Sequence, residues 1–152
     1  MLSLFDHDYV SFPELTNSQL ENLGLSSPHI QITEDFVAFV VKVHDGDTVT
    51  LRVDFRDFDF PLRLLNIDSP ELSEGGDRSR DWLKGEIEGK VVDVLIDKSN
   101  RVGKYGRLLG TILANGYDVA QTQIHLGLAV PFGEKKASEV PSFGQLMQEV
   151  EI

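Results

Sequence analysis

The chain has 152 residues, 41% of them hydrophobic and 26% charged, a composition that suits one soluble globular domain with a sizeable core. It contains no cysteine, which excludes a disulfide framework, a thiolate nucleophile and a Cys-ligated zinc, so any metal must be held by oxygen or histidine. The net charge of −11 runs against the basic footprint that phosphate binding normally leaves, but it is unevenly spread. Residues 1–36 carry six acids and no Lys or Arg, residues 37–132 carry fifteen acids against twelve bases, and residues 133–152 carry four against two. Within the middle segment Lys98, Arg101, Lys104 and Arg107 form a local basic cluster that the total conceals.

Residues 1–35 read as a loosely attached acidic arm with one short helix near Thr16–Gly24, where a capping residue precedes the stretch and glycine ends it. Phe36–Val43 is β-branched and aromatic, His44-Asp45-Gly46-Asp47 supplies turn chemistry, and Thr48–Val53 resumes the strand pattern. Asp54–Asp59 is a turn, and Phe60–Ile67 is a third strand stopped by Asp68-Ser69-Pro70. Asp77–Glu88 places Trp82, Leu83 and Ile87 at helical spacing and Gly89 ends it. Val91–Ile96 and Arg107–Leu113 are strands on either side of a basic loop, Lys98–Gly106. Asn115-Gly116 is a tight turn, and Val119–Leu126 a second helix ended by Gly127. The last stretch, 134–152, is an extension with Pro141 and a short helix at Phe143–Val150. The order β-β-β-α-β-β-α with short strands predicts a five-stranded β-barrel with helices, of the oligonucleotide/oligosaccharide-binding (OB-fold) type, over residues 36–133.

The chemistry lies in an acidic set interleaved with arginine: Asp45-Gly46-Asp47-Thr48, Arg63, and Asp68-Ser69-Pro70-Glu71. A hard cation such as Ca²⁺ takes oxygen ligands, and one carboxylate from each of two strand ends, Asp47 and Asp68, begins such a site. Asp-Gly and Asp-Ser-Pro are equally ordinary turn formers. Strand alternation puts Arg63 on the face of Leu65 and Ile67. It is either a core-edge arginine satisfied by a carboxylate or a bidentate grip on a phosphate. Gly103-Lys104-Tyr105-Gly106-Arg107 offers two cations and an aromatic face, suited to a phosphate and a stacked base, or else a solvated basic loop.

Four segments in order, Asp45–Val49, Leu62–Glu71, Lys104–Arg107 and Gly127–Ala129, resemble the staphylococcal (micrococcal) nuclease or thermonuclease family. The resemblance covers roughly residues 36–132. It implies a phosphodiesterase that cuts DNA or RNA with one Ca²⁺ ion held by the Asp47 and Asp68 side chains and the Ser69 carbonyl. Glu71 would act on the attacking water, Arg63 and Arg107 would hold the scissile phosphate, and Lys104 and Tyr105 would contact a terminal phosphate or neighbouring nucleotide. The same barrel used as a catalytically inactive binding module is the alternative.

Two departures from the family pattern bear on substrate handling. The loop after Glu71 is short, and beyond Gly127-Leu128-Ala129 the chain offers Phe132 where the family has tyrosines. The acidic arm is expected to dock a basic protein partner, to fold over the basic loop, or simply to pack beside the barrel. The N-terminus lacks the basic residues of a signal peptide and no apolar run is long enough to span a bilayer, which predicts a cytoplasmic monomer without membrane association.

Overall fold

A computed structural model describes residues 13–17, 30–70, 76–103 and 106–131. Strands β1 (Phe36–Asp45), β2 (Thr48–Arg52) and β3 (Phe60–Leu64) form the expected antiparallel meander, followed by a two-residue strand β4 (Ile67–Asp68) and helix α1 (Gly76–Ile87). Strands β5 (Val91–Leu95), β6 (Leu108–Ala114) and β7 (Tyr117–Asp118) come next, then α2 (Val119–His125) and β8 (Val130–Pro131). The helix expected near Thr16–Gly24 and the one at Phe143–Val150 lie largely or wholly outside the described residues.

The sheet closes on itself. Its order is β3-β2-β1-β5-β6-β7, and a parallel pairing of β3 with β6, Leu62 opposite Leu108 and Leu64 opposite Gly110, joins the two sides into a five-stranded mixed barrel. Closure requires a strand that serves two partners, and β1 does so: its first half, Phe36–Phe39, pairs with β5, and its second half, Phe39–Asp45, pairs with β2. Two irregularities in register, at Val40/Lys42 and Val43/Asp45, bend it. The first is visible in burial, because the inward set runs Ala38, Val40 and then Val43, a slip of one residue.

Period-two alternation fills the barrel with Val49 and Leu51 from β2, Phe60, Leu62 and Leu64 from β3, Val92 and Val94 from β5, and Leu108 and Ile112 from β6. Helix α1 lays Leu83 and Ile87 against β1, and the chain leaving it is tied by Gly89 N–H to Val40 O (2.8 Å) and by Val40 N–H to Lys90 O (2.9 Å). Helix α2 is capped by Asp118, whose carboxylate accepts from Ala120 N (2.9 Å) and Gln121 N (3.1 Å). Among the described residues no helix is long and apolar enough to cross a membrane.

Two expectations are revised. Arg63 does not share a face with Ile67: β3 ends at Leu64, Asn66 takes φ 64°, and that left-handed residue turns Ile67 into the core while Arg63 stays on the outer side. Nor are all parts of the arm loosely attached. Leu15 and Ile32 are buried against the barrel, as is the Glu14 carboxylate.

Gly110 marks the tightest point of closure. A Cβ there would lie 3.0 Å from Val94 Cγ1, 3.1 Å from Leu62 Cδ1 and 3.2 Å from the Leu95 carbonyl. Gly110→Ala should therefore lower stability by about 1–3 kcal/mol, read as a lower urea midpoint at unchanged slope. An unchanged midpoint would contradict this account of closure.

Candidate active site

The site gathers at one end of the barrel, where the turn between β1 and β2, the end of β3, and β4 come together. Asp45 pairs with Thr48 across a two-residue turn, Gly46-Asp47. The glycine is required by space: a Cβ on Gly46 would collide with Ser79 Oγ and lie 2.8 Å from Ser69 Cβ and 2.9 Å from Gln123 Oε1. From below, Gln123 of α2, wholly buried, donates its amide to the Gly46 carbonyl at 2.7 Å. On the strand side the Asp47 carbonyl accepts from Leu64 N–H at 2.8 Å, so backbone bonds fix the turn to β3.

Arg63 organises the side chains. Its Nη1 donates to the carbonyls of Leu64 and Ile67, both at 2.8 Å, which locks the guanidinium over the bend between β3 and β4. Its Nη2 donates to Asp68 Oδ1 at 2.9 Å and lies 3.5 Å from Asp47 Oδ2. Asp47 Oδ2 also accepts from the Ser69 backbone N–H (3.2 Å) and hydroxyl (2.9 Å), and its Oδ1 accepts from Thr48 Oγ1 (3.0 Å). Asp68 is held in turn by β4, which pairs with β8 through Ile67 opposite Pro131 and Asp68 opposite Val130.

Of the residues singled out by sequence, the structure thus brings Asp47, Arg63, Asp68 and Ser69 together. Arg107 precedes β6, whose Leu109 pairs with Arg63. Since Leu108 points into the barrel, alternation places Arg107 on the outer side that Arg63 occupies, two positions away on the adjacent strand. Its side chain is half-buried and makes no hydrogen bond or ion pair with the described residues. Glu71, Lys104, Tyr105 and Phe132 lie outside the described residues.

Two members of the site were not singled out. Asp45 faces Asp47, and burial first, then the hydrogen bond and negative charge of Asp47, push its carboxyl up to about 6. Burial also pushes Asp47 upward, but the hydrogen bond from Asp45, the Arg63 charge and the Ser69 donors outweigh it and hold Asp47 below its ordinary value. Sequence placed Asp45 in the acidic set but gave it no role of its own. Gln123 carried a fainter signal, a polar residue four positions from Val119 and three from Ala120 on the buried face of α2.

The donor set is all oxygen, which suits a hard divalent cation. Among the described residues no three His, Asp or Glu side chains form a ready-made metal-binding group. Asp45 and Asp47 are nevertheless a partly buried carboxylate pair that a proton or a cation can relieve, so the chemistry of the residues fits such an ion.

The two carboxyls set opposite pH dependences. Between its ordinary value of 3.8 and about 6, the folded chain keeps on Asp45 a proton that the unfolded chain has lost. The stabilisation from Asp45 is therefore complete below 3.8 and disappears as pH rises through about 6. That from Asp47 is present above 3.8 and disappears as pH falls below it. In metal-free buffer, Asp45→Asn should flatten the loss of stability between pH 3.8 and about 6 and raise the melting temperature above that window. A parallel pH profile for variant and parent would contradict the assignment.

The sequence profile described as staphylococcal nuclease homologue matches residues 61–150. Over 130 residues the chain is 26% identical to an uncharacterized protein of Bacillus anthracis, an overlap of 81% of this chain and 55% of that protein. Over 71 residues it is 39% identical to a staphylococcal-like nuclease of Arabidopsis thaliana, an overlap of 46% of this chain and 21% of that one. The chain therefore spans 55% and 21% of the lengths of these curated relatives. With a five-stranded mixed barrel, two helices and a profile match over residues 61–150, the chain belongs to the staphylococcal nuclease homologue family.

Proposed function

We propose that this chain is a Ca²⁺-dependent nuclease that hydrolyses phosphodiester bonds of DNA or RNA, with residues 36–133 as its catalytic unit. The observation that carries the reading is the convergence of Asp47 and Asp68 on Arg63 beside a second arginine, Arg107, on the neighbouring strand. Both carboxylates pair with Arg63, and two acids held where an anionic phosphate must approach are also what a divalent cation at that place would require.

Asp47, Asp68 and the Ser69 carbonyl would hold the ion, with Asp45 behind them. When bound, it supplies positive charge that offsets the carboxylates and polarises a phosphoryl oxygen. The chain's own groups do the rest. Arg63 and Arg107 remain protonated at any working pH, so they serve as charge clamps on the non-bridging oxygens and not as proton donors. Glu71 orients the attacking water and takes its proton as the new oxygen–phosphorus bond forms, and the leaving oxygen, as its bond to phosphorus breaks, takes a proton from solvent water. Lys104 and Tyr105 hold the adjoining phosphate and nucleotide. None of these contacts reads a base edge, which fits a nuclease with little base preference.

Labelled single- and double-stranded DNA and RNA, incubated with Ca²⁺ or chelator, test the reading. Cleavage should require Ca²⁺, and Arg107→Ala and Glu71→Gln should each lower kcat by about 10²–10³ fold. Binding of the oligonucleotide without cleavage in any metal would favour the inactive binding module. Cleavage indifferent to chelator, or unaltered in both variants, would reject the mechanism.

A further inference from the structure

Outside the site, the most unusual cluster is a buried ionic one. Glu14, fully buried, accepts Arg56 Nη2 on Oε1 (2.7 Å) and Ile32 N–H on Oε2 (2.9 Å), and its Oε2 lies 3.6 Å from Arg101 Nη1. Arg56 Cζ lies over the rings of Phe58 (5.3 Å) and Phe60 (4.6 Å), and its Nε and Nη1 are buried with no hydrogen-bond partner among the described residues. Arg101, 3% exposed, spends its guanidinium on the arm: Nη1 on Ile32 O (2.5 Å), Nη2 on Leu15 O (2.7 Å) and Nε on Asn17 Oδ1 (3.1 Å). Two buried guanidiniums facing one carboxylate form a set from which the carboxylate cannot be removed without leaving uncompensated charge.

This cluster bears on the basic loop. Arg101 belongs to the local basic cluster read from the sequence, yet its guanidinium is buried and spent on the arm, so it is withdrawn from any ligand. Asn17 Nδ2 donates to Lys98 O at 3.0 Å and Glu14 N–H to Gly106 O at 3.3 Å, so the arm grips the loop at Lys98, at Arg101 and at Gly106. The loop's inner bonds run from Leu109 N–H to Arg101 O and from Gly103 N–H to Arg107 O, both 2.7 Å, and Gly106 adopts φ 86° immediately before Arg107. Arg107 thus starts its strand from a turn whose outer side is built by residues 13–17.

We propose that Glu14, through Arg101 and the Gly106 carbonyl, is a positioning residue for Arg107, and that the Pro13–Asn17 segment is an integral brace of the site and not a competitor for substrate. The kinetic consequence rests on the nuclease reading, whereas the structural one does not.

The 152-residue chain and its Glu14→Gln and Asn17→Ala variants separate the two. Asn17 is exposed and lies outside the core, so its variant tests the brace even where Glu14→Gln folds poorly. By hydrogen exchange, the Gly103 and Leu109 amides should lose protection in both variants, exchanging at least about tenfold faster, while the Val49 and Leu51 amides keep theirs. In cleavage assays each variant should lower kcat about tenfold with KM within about twofold, and neither should lower it further in an Arg107→Ala background. Unchanged loop protection, or an equal loss of rate with and without Arg107, would overturn the proposal. A parent chain that cleaves nothing would refute the nuclease reading and leave the exchange result to decide the brace.

Discussion

The outer end of the barrel depends on where one guanidinium can go. Arg63 projects from a strand whose alternate residues, Phe60, Leu62 and Leu64, are buried, so its charge sits at the border of an apolar core. It meets that constraint with two main-chain carbonyls and two carboxylates. Charge-assisted bonds of this kind are worth about 1.5–3 kcal/mol each. Because they span β3, β4 and the β1–β2 turn, they convert a bend in the backbone into a fixed arrangement of acids. Without that cation, Asp47 and Asp68 would be left facing one another, and burial already disfavours charge on Asp45 and Asp47.

The barrel supplies what the side chains alone cannot. Parallel pairing of β3 with β6 sets Leu109 opposite Arg63 and so brings Arg107 onto the same outer face two positions away, although 44 positions separate Arg63 and Arg107 in the chain. The bulges in β1 and the absence of a side chain at Gly110 are the local concessions that allow the closure. Gln123 and Ser79, one from each helix, occupy the space beneath Gly46, so both helices reach the acidic turn. The fold and the site therefore share contacts, and a change that loosens one should be felt in the other.

Much of this was legible in the sequence because it rests on local rules. Alternation and turn residues place β1, β2, β3, β5 and β6, and helical spacing and a terminal glycine place both helices. Asp-Gly and Asp-Ser-Pro announce the turns that hold Asp47 and Asp68. What was not legible depends on partners distant in the chain. The face of Arg63 was misjudged because a single left-handed residue, Asn66, resets the alternation. The two-residue strands β4 and β8 are too short to carry a period. Glu14 and Arg101 looked like members of an acidic arm and a basic loop, and only the fold shows them neutralising each other in the interior.

The account makes Arg63 the holder of an acidic cluster that is one positive ion short of balance. Calorimetric titration of the 152-residue chain with CaCl₂ near neutral pH, without nucleic acid, tests this most directly. The account predicts saturable binding of one ion, abolished in Asp47→Asn and in Asp68→Asn while both variants remain folded. Absence of binding at millimolar Ca²⁺, or binding that survives both substitutions, would contradict it.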